Sequence, residues 1–513
     1  MGQAMNRRKN KQINRRTFLG RCITAASAVF AASMLPKRRL FPSQQKSHTT
    51  ALPQHNVLLL ISDDHGIDQL GCYGNPKIKT PNLDRMAKNG VRFTNAFSVA
   101  ASCSASRGSI LSGLYPHQNG QYGHQHNWHH FSLLDWVQTL PALLKRNGYQ
   151  TGVIGKLHVA PKEQLPFDFV VPGSEIMGNR DVKTMADKAG EFFNRDRSAP
   201  FFLLVGYSDP HRSAQGMSQM RGVEDFSGFG NDRSYPGIQP TKYDPADVLV
   251  PPFLPDIPEV REELADQYQS ITRLDTGIGM VIENLRQSGR YDDTLIIYFS
   301  DNGIPFPGAK TTIYDSGVHL PMIICSPEIK KGGSLNNAMV SFIDLVPSIL
   351  DWTGTPGPDY ELPGKSFLSI LNRHDPAGWD EIYLSHTFHE ITMYYPMRAV
   401  RTRRYKYILN LFPELEYPFA TDLFISKTWQ GILKRKSKMM GKRRVDAYLK
   451  RPAEELYDLE KDPYEVKNIA ANPDYSAVLN ELRTKLKMMR ERTSDPWLIL
   501  ENYKANRTLY RKK

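Results

Sequence analysis

Asn56-Val-Leu-Leu-Leu-Ile61, followed at once by Ser62, Asp63 and Asp64, is the stretch from which the fold is read. Val57 to Ile61 is apolar at odd and even positions alike, so a strand here has both faces covered, as in a parallel sheet lined by helices. The acidic pair then falls at the strand's carboxyl end, where open α/β sheets collect their ligands. The same pattern returns three times. Thr151–Ile154 leads through Gly155 to Lys156 and His158, Phe201–Val205 leads to Asp209 and His211, and Leu295–Phe299 leads to Ser300, Asp301 and Asn302. Four runs aim polar tips at one edge.

Helical patterns lie between them: Leu83–Asn89, Leu140–Asn147, and Arg261–Ser288 with the face Leu264, Tyr268, Ile271, Leu274, Ile278. The Pro- and Gly-rich stretch 215–258 reads as surface loops walling a pocket. Beyond Gly354–Arg373 the pattern changes to short hairpin strands, Glu381–Leu384, Met397–Val400 and Tyr405–Leu409. The chain, 513 residues long, exceeds one ordinary core. The expected division is a leader over 1–36, a catalytic α/β domain over 53–376 and a smaller α+β subdomain over 377–513.

The formal charge of +13 suggests a polyanion binder until it is located. Eleven Lys and Arg and no acidic residue fall within 1–46, leaving +2 for the remainder. Arg15 and Arg16 precede a modest Ala- and Ser-rich apolar run, Thr17–Leu35, the pattern of a twin-arginine export signal rather than a membrane span. This predicts export through the Tat machinery to the periplasm or beyond, with no nucleic-acid partner; a disordered basic arm is the alternative. Cys72, Cys103 and Cys325 are too few for a disulfide framework and lack zinc spacing. Cys325, within MIICS, reads as a buried strand residue. The basic run Lys434–Arg451 reads as a solvated helix face, or as a guide for an anionic polysaccharide.

The chemistry falls on Ser102–Gly113, SCSASRGSILSG. A helix starting near Ser104 would place its free N–H groups and positive dipole end beneath whatever Cys103 carries, with Arg107 one turn on. Asp63, Asp64, Asp301 and Asn302 offer only oxygens, and three converging carboxylates call for a hard divalent cation, calcium foremost. The alternative is that each acidic pair caps a loop.

Cys103-Ser-Ala-Ser-Arg107 resembles the signature of the type I sulfatase family, Cys-x-Pro/Ala-x-Arg, and the resemblance runs from about Asn56 to Trp497. GLYPHQNGQYG, GVIGKLHV, SDPHR, YDPADVLVP, SDNGIPFP and HEITMYYPMR are similar to the family's sulfamidase branch. The resemblance implies an alkaline-phosphatase-like fold with a large mixed central sheet, and a formylglycine made from Cys103 by a formylglycine-generating enzyme. It also implies Ca²⁺ on Asp63, Asp64, Asp301, Asn302 and residue 103. Arg107, Lys156 and Lys310 would hold the sulfuryl oxygens, Asp301 and His158 would move protons at the hydrated aldehyde, and His211 would protonate the leaving group. His389 and Glu390 would contact the sugar, Arg398 a carboxylate or a structural partner, and His129 the pocket. The implied substrate is the N-sulfate of glucosamine in heparan-type saccharides; an O-sulfatase and an inactive carbohydrate-binding protein are the alternatives. A homodimer is compatible with the sequence. Lys310 stands where the sulfamidase branch carries arginine, which keeps the charge but loses the bidentate fork.

Overall fold

The computed structural model describes residues 55–213 and 228–499. The leader expected over 1–36 lies outside them, as does 214–227 of the expected pocket wall. The described residues belong to one compact unit.

Eight strands form the main sheet: β1 (Asn56–Ser62), β2 (Val91–Phe97), β3 (Gln150–Gly155), β4 (Phe169–Val171), β5 (Phe201–Gly206), β6 (Thr294–Ser300), β7 (His319–Cys325) and β8 (Ser334–Ser341). Their order is β4-β3-β5-β1-β6-β7-β2-β8. Every pairing is parallel except those of β7, which runs against β6 and β2. The carboxyl ends of β1, β2, β3, β5 and β6 therefore share one edge, and the amino end of β7 joins them there.

The doubly apolar runs pack as expected. Val57, Leu59 and Ile61 enter one core with Ile110, Leu144 and Val346, while Leu58 and Leu60 enter another with Phe192, Leu274 and Ile278. One face carries α2 (Cys103–Ser112), α3 (Leu140–Arg146) and α6 (Leu345–Thr353); the other carries α1 (Pro81–Asn89), α4 (Val182–Arg195) and α5 (Pro258–Gln287). Over its 30 residues α5 serves two cores, with Leu274 to Leu285 under the sheet and Val260 to Ile271 against the loop that carries Phe306.

A second, antiparallel sheet, ordered β14-β11-β10-β9, lies in the C-terminal part: β9 (Glu381–His386), β10 (Met397–Thr402), β11 (Tyr405–Asn410) and β14 (Glu454–Asp458). Between β11 and β14 come α7 (Thr421–Phe424), α8 (Lys427–Lys434) and a ribbon of β12 (Met439–Met440) and β13 (Arg443–Arg444), and α9 (Ser476–Arg492) follows β14. The basic run 434–451 is not one helix face. It turns at Gly441, whose φ is +56°, and folds two of its arginines inward, Arg443 over the Tyr314 ring and Arg451 over the Tyr417 ring at 3.8 and 3.6 Å. Cys325 ends β7, buried as expected, and Cys72, Cys103 and Cys325 are all free. No described helix is long and apolar enough to cross a membrane.

Candidate active site

The shared strand edge gathers the expected residues. Asp63 and Asp64 follow β1, Lys156 and His158 follow β3, His211 follows β5, and Asp301 and Asn302 follow β6. Asp63 pairs with the Lys156 ammonium. Asp64 accepts from Asn302 Nδ2 at 2.5 Å and Lys310 Nζ at 2.9 Å, and its own N–H donates to Asp301 Oδ1 at 3.2 Å. Asp64, His158 and Thr311, none of them glycine, adopt left-handed φ of 65°, 59° and 69°. Such strain, about 1 kcal/mol or more per residue, is held where the surrounding structure imposes it. Asp209, also past β5, is turned away and neutralised by Arg180 and Arg273.

Cys103 is the first residue of α2, a helix buried along its whole length. Ser102, at the N-cap, gives its hydroxyl to a hydrogen bond with His389 Nδ1 at 2.9 Å rather than to the helix, so the first α2 N–H groups are left without a side-chain cap. Arg107 donates through Nε to Asp301 Oδ2 and through Nη1 to the Lys156 carbonyl, both at 2.7 Å, while its Nη2 is buried with no partner. Gly206 makes room for this: a β-carbon there would stand 2.1 Å from the Lys156 carbonyl oxygen.

Lys310 uses all three of its donors, on Asp64 Oδ2, on Asp422 Oδ2 at 2.8 Å and on His211 Nε2 at 3.1 Å. His211 Nδ1 faces the Arg212 carbonyl, which can only accept, so Nδ1 carries the proton and Nε2 offers its lone pair to the ammonium.

A cleft of about 1300 Å³ opens above this edge. Lys156, His158, His211, Lys310, His389, Glu390 and His129 all line it, as do Gly228, Gly230 and Tyr235 from the loop-rich stretch. Cys103 lies just beneath the floor, with Sγ 3.8 Å from Nδ1 of His124, which is itself in the wall. Three expectations are refined. The Glu390 carboxylate accepts from the Thr421 N–H and hydroxyl, both at 2.8 Å, and so anchors α7. His129 Nδ1 accepts the Ile391 N–H at 3.0 Å and stands in the wall. Arg398 does not reach the cleft: it is fully buried, clamps Asp495 at 2.9 and 3.1 Å, and takes the structural role rather than a sugar contact. Sequence reasoning misses His124, His126 and Asp422. His126 Nδ1 pairs with His158 Nε2 at 2.7 Å, and nothing in the local sequence of Asp422 foretells its meeting with Lys310, 112 residues away.

Burial alone would raise the Asp63 carboxyl, but Lys156, His211, Arg107 and Lys310 outweigh it and hold it far below the usual range. Asp64 and Asp301 go the other way, to about 7 and about 6; burial leads in both, and the neighbouring carboxylates add to it. Burial pushes the Cys103 thiol up to about 12, and burial followed by Lys156 pulls His158 well down. Two carboxylates held back from ionising mark a site short of positive charge. Asp63 Oδ1 and Asn302 Oδ1 are buried with no partner, and ligand atoms of Asp63, Asp64 and His211 lie within 4.8 Å of one another. An all-oxygen set of this kind, built from Asp63, Asp64, Asp301 and Asn302, fits a hard divalent cation.

The family model described as Sulfatase matches residues 55–355. The chain belongs to the sulfatase family. A second model, described as N-sulphoglucosamine sulphohydrolase, C-terminal, matches residues 309–420 of this sulfatase. Human N-sulphoglucosamine sulphohydrolase is 40% identical over 462 residues, covering 86% of this chain and 91% of its own. An ulvan-active sulfatase of Formosa agariphila is 28% identical over 432 residues, covering 83% and 78%. Among solved structures, a protein in complex with its substrate D-glucosamine-2-N,6-O-disulfate superposes with a TM-score of 0.62 at 21% identity, covering 86% of this chain and 98% of its own. The mixed sheet with its flanking helices is thus the sulfatase, alkaline-phosphatase-like fold, and this sulfatase is an enzyme.

Proposed function

We propose that this sulfatase hydrolyses the N-sulfate of glucosamine at the non-reducing end of heparan-type saccharides, after twin-arginine export to the periplasm or exterior. The observation that carries the reading is the convergence of Cys103, Arg107, Lys156 and Lys310 with the oxygen set of Asp63, Asp64, Asp301 and Asn302 on one sheet edge beneath an open cleft. The long match to human N-sulphoglucosamine sulphohydrolase, and the separate match of the N-sulphoglucosamine sulphohydrolase C-terminal model over 309–420, a range that takes in Lys310, His389 and Glu390, support the choice of nitrogen over oxygen.

Cys103, converted to formylglycine, would supply a hydrated carbonyl: one hydroxyl for attack on sulfur and a second whose deprotonation would free sulfate. Asp63, Asp64, Asp301 and Asn302 would hold a calcium ion, which would supply positive charge beside the sulfuryl group. The chain's own residues do the rest. Arg107 Nη2 is the unspent donor for a sulfuryl oxygen, and Lys156, tied to Asp63, adds charge on the same side. Asp301 lies beside them as a proton acceptor. His158, kept neutral, has a buried Nδ1 with no partner, free to take a proton. Lys310 and His211 share the proton that the departing nitrogen needs, the ammonium as its immediate source, because the Arg212 carbonyl holds the His211 proton on the far nitrogen.

The C-terminal part from about 377 completes the pocket through His389, Glu390 and Asp422. Side-by-side turnover of N-sulfoglucosamine and glucosamine 6-sulfate tests the reading. The expected result is release of sulfate from the first in clear preference; turnover of the ester alone would make the chain an O-sulfatase, and turnover of neither would reject both.

A further inference from the structure

Asp422 belongs to none of the sequence motifs that mark the site. It is the second residue of α7, comes from the C-terminal part, and lines the cleft. Its Oδ2 binds the same Lys310 nitrogen that binds His211 Nε2, and its Oδ1 is buried with no partner. Its helix is fastened by Glu390, whose two carboxylate oxygens hold the N–H and the hydroxyl of Thr421. Burial would raise the Asp422 carboxyl, but Lys310 and His211 outweigh it and keep it ionised well below the ordinary range. A fixed anion with one unspent acceptor thus sits beside the proton source for the leaving group.

The two candidate chemistries leave different groups there. Sulfamate hydrolysis converts R–NH–SO₃⁻ and water into R–NH₃⁺ and SO₄²⁻: the S–N bond breaks, nitrogen keeps the pair and collects protons, and sulfate takes the oxygen. Ester hydrolysis leaves R–OH, which is neutral. A carboxylate beside the departing atom favours a developing ammonium and gives an alcohol oxygen gathering negative charge no such help.

We infer that Asp422 is the specificity-determining residue for nitrogen over oxygen, its free Oδ1 accepting a hydrogen bond from the departing amine while Glu390 and Thr421 hold it in place. The inference rests on the N-sulfate reading above. Its size is that of one charge-assisted hydrogen bond, about 10- to 150-fold.

The test uses the full-length enzyme and its Asp422→Asn and Asp422→Glu variants, with two probes at neutral pH. Glucosamine, an ammonium ion, and N-acetylglucosamine, which is neutral, are compared as ligands by calorimetry. The ratio of kcat/KM on N-sulfoglucosamine to kcat/KM on 4-nitrophenyl sulfate is measured alongside. The expected results are tighter binding of glucosamine than of N-acetylglucosamine by the parent, loss of that margin by about tenfold or more in Asp422→Asn, a parallel fall in the kcat/KM ratio, and partial recovery of both in Asp422→Glu. An unchanged glucosamine margin in Asp422→Asn overturns the inference, as does a fall on both substrates in equal proportion, which would make Asp422 only a partner of Lys310. A parent enzyme that ignores N-sulfoglucosamine rejects the substrate reading instead, and the glucosamine comparison still decides the role of Asp422.

Discussion

Arg107→Lys is the substitution whose cost the structure fixes most closely. The guanidinium has three parts in the site: Nε holds Asp301 Oδ2 at 2.7 Å, Nη1 holds the Lys156 carbonyl at 2.7 Å, and Nη2, buried with no partner, is the donor proposed for a sulfuryl oxygen. A lysine keeps the charge but has one nitrogen on a shorter reach, so it can hold Asp301 only by giving up the other two tasks. A hydrogen bond to a charged group is worth about 1.5–3 kcal/mol. Losing the sulfuryl donor alone should therefore lower kcat/KM by about 10- to 150-fold. Arg107→Ala would say less, because it strands the buried Asp301 carboxylate, a defect of about 3–5 kcal/mol in stability that would confound the rate. The assay is kcat/KM on N-sulfoglucosamine for parent and Arg107→Lys at matched aldehyde content, with thermal melts of both. Activity within about twofold of the parent, an effect under the worth of even one such bond, would refute the reasoning, since it would mean that Nη2 has no task in the transition state.

Other outcomes follow from the same geometry. Asp495→Ala strips the buried Arg398 and Arg490 side chains of a shared carboxylate and should cost about 3–5 kcal/mol in denaturant unfolding. Burial would raise the Asp495 carboxyl, yet Arg398 and Arg490 depress it; its contribution is thus present above the unfolded-state pKa of about 4 and lost as pH falls toward the lower folded-state value. Asp495→Asn should accordingly flatten that acid limb of stability against pH, and an unchanged limb would count against the pair. Gly206→Ala should displace the Lys156 carbonyl that Arg107 grips and cut activity by more than about tenfold, whereas a fully active variant would mean that the 2.1 Å approach relaxes freely. Chelation with EGTA should lower both the melting temperature and activity, and calcium should restore both with a concentration-dependent shift in Tm; indifference to chelator would remove the cation from the account.

The strand edge is legible in the sequence because a run apolar on both faces that ends in charged residues suits a covered parallel strand and little else. Each of the four runs lies within about a residue of its observed ends, and the helix carrying Cys103 starts one residue before the expected Ser104. β2 and β8 escape such a reading, since VRFTNAF and SLNNAMVS mix polar residues into strands whose pairing, not composition, sets them. The basic run 434–451 misleads because charge on a sequence does not reveal which arginines will stack on buried tyrosines. Arg398 is open to two readings, and only the partner nearly a hundred residues on, Asp495, decides between them. Asp422 and His124 are invisible from sequence: each owes its place to contacts across the fold, and neither sits in a motif with a mechanism of its own.

The central claim is that an aldehyde at residue 103 does the chemistry. Its most direct measurement is the rate of N-sulfoglucosamine hydrolysis against the fraction of residue 103 carrying the aldehyde, read by mass spectrometry across preparations made with and without a formylglycine-generating enzyme. The account predicts a straight line through the origin, whereas full turnover by protein that retains the Cys103 thiol would contradict it.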